Sequence, residues 1–206
     1  MKLFIATANT HKIREIKNLL RDLSYIELFT PAFFPAYTPL KEMGATFEEN
    51  AMIKATHAAK ITHMLSIGDD SGLIVPALGN QPGIFSARFA GPNATEKENR
   101  AKLLNEMAHL KDHERSAYFE CAMALASPGG LIKCVKGCSE GLILEEERGG
   151  NGFGYDSLFL KYDYNKTFAE LEESIKNQVS HRGKAMEKLR LILEGLPDSV
   201  KKEDIS

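Results

Sequence analysis

The chain has 206 residues and a formal net charge of −2, with 43% hydrophobic and 26% charged residues. At roughly 150 residues per domain this is one domain or two intimate lobes, large enough to hold a core without disulfide or metal staples. The charge balance excludes a strongly basic nucleic-acid coat but not one nucleotide in one basic pocket. No apolar run approaches the roughly 20 residues of a membrane span.

Met1 to Thr7 is too short an apolar run for a secretion signal, and the three cysteines (Cys121, Cys134, Cys138) are an odd number. Both point to a cytoplasmic protein with reduced thiols. Cys134 and Cys138 lack a second pair or a His at zinc spacing, so a metal there is not expected.

In chain order, Leu3 to Thr7 reads as a buried strand, and Ile13, Ile16, Leu20 and Leu23 predict an amphipathic helix from about Thr10 to Asp22. Thr30 to Pro39, aromatic and proline-rich, reads as a loop that could pack a lobe or form an interface. Thr46-Phe47-Glu48-Glu49 has the spacing of a capping box, opening an alanine-rich helix to about His63. Ile67 to Asp69 and Leu73 to Val75 read as strands around a turn at Asp70-Ser71-Gly72. Gly79 to Gly91 is loop-like, and Thr95 to Glu98 is a second capping box opening a helix through Met107. Alternation from Ala117 to Leu125, the turn Ser127 to Gly130 and the run Leu131 to Glu140 predict a hairpin. Gly149 to Gly154 carries four glycines in six residues, a loop. Thr167 to Glu170 is a third capping box, and Ser180 caps a final helix ending at Gly195-Leu196-Pro197. Strands alternating with helices around one hairpin predict a mixed α/β sheet.

Five places offer chemistry. Thr7-Ala8-Asn9-Thr10-His11-Lys12 joins a strand to a helix, where free N–H groups and the helix dipole favour an anion. The same corner is also an ordinary connection capped by Asn or Thr, and it is not a P-loop. Asp69-Asp70 suits a hard divalent cation beside phosphates, with strand alternation sending the two carboxylates to opposite sides; a plain Asp-Ser-Gly turn is the other reading. Glu42, Glu48, Glu49 and Lys54 surround the start of the alanine-rich helix, and helix capping explains Glu48 and Glu49 but not Glu42. Phe153-Gly154-Tyr155-Asp156 offers a ring for stacking on a base, or a Phe that plugs the core. Lys176, Ser180, His181 and Arg182 gather cations at a helix start, where dipole logic prefers acids. His109 and His113 lack the Glu of a zinc motif and read as surface residues.

Taken together, Ala6-Thr7-Ala8-Asn9 with Lys12, Thr46 to Ala51 with Lys54-Ala55, Asp69 to Leu73, Pro82 to Arg88, Gly152 to Asp156 and Ser180 to Gly183 resemble the inosine triphosphate pyrophosphatase family. The resemblance runs nearly end to end. It implies one domain over 1–206, an elongated mixed sheet flanked by helices, and two lobes with a central cleft. It also implies a homodimer without nucleic-acid or membrane partners. The implied reaction is Mg²⁺-dependent hydrolysis of ITP, dITP and XTP to the monophosphate and pyrophosphate. By position, Asp70 is the catalytic residue and Glu42 with Asp70 the metal ligands. Thr7, Ala8, Asn9, Thr10, His11, Lys12, Lys54, Ser71, Phe153, Gly154, Tyr155, Asp156, Lys176, His181 and Arg182 are the substrate contacts. Ala8 stands where the family commonly has Gly, which raises the question of a positive φ there. Pro76 and Ser157 are lesser departures.

Overall fold

The computed structural model describes residues 1–35, 37–40 and 43–197. Glu42, one of the two expected metal ligands, lies outside the described residues. The strands are β1 (Lys2–Ile5), β2 (Glu27–Phe29), β3 (Leu65–Val75), β4 (Gln81–Pro82), β5 (Ser116–Ser127), β6 (Gly130–Ile143), β7 (Phe159–Lys161) and β8 (Lys166–Thr167). The helices are α1 (Thr10–Leu19), α2 (Phe47–Thr62), α3 (Glu96–Glu106), α4 (Glu173–Val179) and α5 (His181–Glu194). The sheet runs β2-β1-β3-β5-β6-β7-β8, with β4 paired to β3. It is mixed, as expected: β1 is parallel to β2 and β3, while β3/β4, β6/β7 and β7/β8 are antiparallel. No helix among the described residues is long and apolar enough to cross a membrane.

The chain packs as two compact units. The first takes Met1–Asp70, Cys121–Gly137 and the stretch beginning at Arg182; the second takes Ser71–Glu120 and Cys138–His181. In the first unit, β1 is buried on both faces. Leu3 and Ile5 join α1 and α5 residues such as Ile16, Ala185 and Leu189, while Phe4 and Ala6 pack with Tyr37 and Ala58. Two buried faces are what parallel pairing demands, and they explain a continuous apolar run where an exposed sheet would alternate. β3 follows the same alternation: Leu65 and Ile67 join the α1/α5 side. The second unit's core gathers Leu73, Val75, Leu103, Phe119, Phe159 and Phe168.

Several expectations needed correction. No turn forms at Asp70-Ser71-Gly72; β3 is one continuous strand of 11 residues. Asp-Ser-Gly favours a turn only locally, whereas extension keeps Ile67, Leu73 and Val75 in register with one buried side. α1 stops at Leu19, short of Asp22, because the chain turns back to enter the unanticipated strand β2, with Asp22 held by Arg190 at 2.7 Å.

The three Thr-x-x-Glu patterns diverge. Thr95 makes the full reciprocal box. At Thr46 the hydroxyl accepts from Glu49 N–H, but the Glu49 carboxylate accepts from Ala45 N–H. Thr167 starts no helix: its hydroxyl donates to the Arg148 carbonyl, and Glu170 accepts from Thr167 N–H within a turn. Helix α4, which carries Lys176, was not anticipated before the final helix, and Ser180 marks the junction between the two. In the Thr30 to Pro39 segment, Phe34 and Tyr37 pack edge-on against Phe4, at 5.5 and 5.0 Å between ring centres. His109 and His113 are exposed and lie past the end of α3, so they share no helix face.

Candidate active site

The first unit carries a polar centre on each side of β3. Residues 69 and 70 are neighbours in an extended strand, so their side chains leave opposite faces. Asp69 falls on the α1/α5 side. Lys12 from α1 approaches it at 2.5 Å, Arg182 from α5 donates to both oxygens at 2.8 and 3.2 Å, and the Cys121 thiol donates at 3.2 Å. The third guanidinium nitrogen of Arg182 donates to Glu15, also on α1, at 2.5 Å. Burial alone would push the Asp69 carboxyl up; the charges of Arg182 and Lys12 outweigh it and hold it well below the usual carboxylate range. Burial and the same carboxylate push the Cys121 thiol well up, so it stays protonated.

Asp70 falls on the α2 side. One of its oxygens accepts from Lys54 Nζ at 2.9 Å, the other from Asn50 Nδ2 at 3.0 Å. Lys54 also donates to the Asp69 carbonyl at 3.1 Å. Asn50 and Lys54 are four apart on α2, hence on one helix face. Gly68 brings that face close: a Cβ there would stand 2.1 Å from the Ala51 carbonyl oxygen and 2.7 Å from Ala55 N. A glycine inside a strand marks just such a close backbone approach.

At the turn between β1 and α1, Asn9 is the helix cap. Its Oδ1 accepts from His11 N–H at 2.9 Å and Lys12 N–H at 3.2 Å, and Thr7 Oγ1 accepts from Asn9 N–H at 3.2 Å. Two of the N–H groups expected to face an anion are thus satisfied by the cap. Thr10 and His11 open α1. Ala8 is not among the residues with positive φ, so replacing the family's usual Gly strains nothing.

The second unit holds the rest of the expected residues. Asp156, buried, accepts from Phe153 N–H at 2.9 Å and from Lys176 Nζ at 2.6 Å. Gly152 has φ +78°, and a Cβ there would lie 2.1 Å from Asp156 Oδ2, so the loop requires glycine. Phe153 is half-buried with Lys176 Nζ 5.3 Å above its ring. Arg100 donates to the Gly154 carbonyl, and Tyr155, buried, donates its hydroxyl to the Ser86 carbonyl. His181 stacks on Phe119 at 4.7 Å between ring centres, 12° from parallel. Ser71 lies half-buried in β3.

The cations at the helix start therefore have internal partners. Lys176 sits on Asp156, and Arg182, expected beside the base, spends its guanidinium inside the first unit at 1% exposure. Sequence reasoning passed over Asn50, Glu15 and Gly68. The four-residue spacing of Asn50 and Lys54, and a glycine within a strand, were the available signals.

A family model described as the Ham1 family matches residues 3–192. The chain belongs to the Ham1 family. A relative from Protochlamydia amoebophila named dITP/XTP pyrophosphatase is 54% identical, the match covering 96% of this chain and 100% of that protein. One of the same name from Chlamydia caviae is 51% identical over 95% of this chain and 96% of its own length. Among solved structures, a HAM1 protein from Coxiella burnetii aligns with a TM-score of 0.84 at 41% identity, covering 95% of this chain and all of that one. The Ham1 structures thus share the mixed α/β architecture described above.

Proposed function

We propose that this Ham1 protein is a Mg²⁺-dependent pyrophosphatase that converts dITP, ITP and XTP to their monophosphates with release of pyrophosphate. The observation that carries the reading is Asp70, a carboxylate fixed by Asn50 and Lys54 on the same strand whose preceding residue grips Lys12. The names of the relatives from Protochlamydia and Chlamydia support it.

The donor set suits magnesium. Among the described residues no group of three His, Cys, Asp or Glu could hold a metal by itself. Mg²⁺ ordinarily takes one or two carboxylates and completes its shell with water and substrate phosphates. Asp70, with Glu42 as the second carboxylate, would hold it. When bound, the ion neutralises phosphate charge and stabilises the pyrophosphate leaving group.

The chain's own groups do the remainder. Lys12, beside the capped turn of Thr7 and Asn9, attracts the polyphosphate. Asp70 accepts a hydrogen bond from the attacking water and aims it at the α-phosphorus. Lys54 balances the charge of that carboxylate. Arg182 acts from inside, keeping Asp69 and through it Lys12 in place.

Base recognition falls to Phe153, Asp156, Lys176 and His181. A 6-carbonyl purine suits donors there, whereas the 6-amino group of adenine would leave buried donors unpaired, a mismatch that can discriminate by about 10⁴. The protein acts on the free nucleotide pool as a homodimer.

One assay tests the function: a panel of nucleoside triphosphates with Mg²⁺, scoring products. Pyrophosphate and monophosphate from ITP, dITP and XTP, with ATP and GTP poor, are expected. Orthophosphate as the sole phosphate product would overturn the reading. Light scattering checks the dimer.

A further inference from the structure

Asn50 is an anomaly on the buried side of α2. It is 1% exposed among the buried residues of α2, which are otherwise Phe47, Ala51, Ala55, Ala58, Ala59 and Thr62, and next to Ala51 packing alone would favour another small apolar residue. A buried amide is costly unless both its ends are bonded. Both are. Its oxygen accepts from Gly44 N–H at 2.8 Å, and its nitrogen donates to Asp70 Oδ2 at 3.0 Å. The two partners fix which end is which, because Gly44 N–H can only donate and an ionised carboxylate can only accept. Gly44 is fitted to this amide: a Cβ there would lie 2.8 Å from Asn50 Oδ1 and 2.8 Å from Glu49 Cβ.

We propose that Asn50 is a positioning residue that sets the rotation of the Asp70 carboxylate. The proposal rests on the reading of Asp70 as the metal-holding, water-directing group. Rotation of a carboxylate about its last bond is soft and broadly populated, so its angle is set by its partners. Lys54 is a compact charge on a flexible stem and supplies attraction without direction. Asn50 is short, buried and tied at its far end to backbone. It therefore gives Asp70 a direction, and it links that direction to the chain at Gly44.

The two ends of Asn50 can be separated. Asn50→Ala removes both bonds. Asn50→Asp keeps an acceptor for Gly44 N–H, removes the donor and sets a second carboxylate against Asp70. The expected result is a fall in kcat of about 10–100-fold in both variants, the usual scale for losing an outer partner of a metal ligand. KM for ITP should change little.

A second readout is independent of turnover. Mn²⁺ binding, followed by electron paramagnetic resonance with a non-hydrolysable α,β-methylene inosine triphosphate present, should weaken about tenfold in Asn50→Ala. Folded Asn50→Ala with wild-type kcat and Mn²⁺ affinity would overturn the proposal. If Asn50→Ala does not fold, Asn50→Asp decides: full turnover overturns the proposal, and lost turnover at a native melting temperature supports it. Asp70→Asn, run alongside, separates the two levels. Turnover retained in Asp70→Asn defeats the parent reading of Asp70. An inactive Asp70→Asn beside fully active Asn50 variants defeats only the role given to Asn50.

Discussion

The two sides of β3 place adjacent aspartates in opposite circumstances. Asp69 lies at the middle of a closed charge cluster drawn from three segments: Lys12 and Glu15 on α1, Arg182 on α5, and the strand itself. Asp70 meets α2 through Asn50 and Lys54. The first carboxylate is paired with buried cations of the fold; the second accepts from a short amide and from the Lys54 ammonium. One peptide unit separates them, and strand alternation sends them to different surroundings. Similar chemistry in sequence therefore says little about role until the face is known.

The largest expected effect sharpens that contrast. Asp70→Asn should lower kcat by about 10³-fold, within the range for losing a positioned proton acceptor, and cost less stability than Asp69→Asn because Lys54 keeps the Asp69 carbonyl as an acceptor. A variant with wild-type turnover would erase the distinction between the two sides.

Asp69→Asn should do the reverse and destabilise by about 3–5 kcal/mol, because it strands buried cations; chemical denaturation measures it. That contribution also has a pH signature. The folded-state carboxyl is held well below the usual range, so its stabilisation is complete above that range and is lost as pH falls through the folded-state value. The gap in stability between wild type and Asp69→Asn should accordingly narrow in acid and stay constant near neutrality. A gap that widened in acid would contradict the assignment.

Gly68→Ala comes next. Its methyl would meet the Ala51 carbonyl, pushing α2 off the strand at a cost of about 1–3 kcal/mol. Because the same approach brings Asn50 and Lys54 to Asp70, turnover should fall along with stability. Loss of stability with full activity would show that the Asp70 side tolerates displacement of α2.

Lys12→Ala has the smallest expected effect, about tenfold in KM for triphosphates, on the scale of one charge-assisted contact. Affinity for inosine itself should be unchanged. Equal losses for nucleoside and triphosphate would place Lys12 wholly in the Asp69 cluster, with no share in phosphate binding.

Much of this was legible in the chain. The opening strand and helix, the alanine-rich helix, the central hairpin and the glycine loop before Asp156 all carry local signals of period, cap or turn, and they form, though β1 ends at Ile5 rather than Thr7 and α1 at Leu19 rather than Asp22. Failures came where local chemistry met a stronger distant partner. Asp-Ser-Gly loses its turn to sheet pairing. Thr167 loses its cap to the Arg148 carbonyl. At the opening corner, by contrast, the local capping reading held: Asn9 takes two of its N–H groups.

The amino-acid pattern by itself determined the class of fold, the family and the short list of residues from which chemistry could be built, because hydrophobic period and motif spacing are properties of neighbours along the chain. Tertiary structure decided how each member of the list is paired and buried. Arg182 resembles a ligand-seeking cation until α5 closes on Asp69, and Asn50 resembles an ordinary helix residue until Gly68 lets α2 touch the strand. Burial and pairing arise between segments distant in sequence, so the use of each charge is settled only when those segments meet.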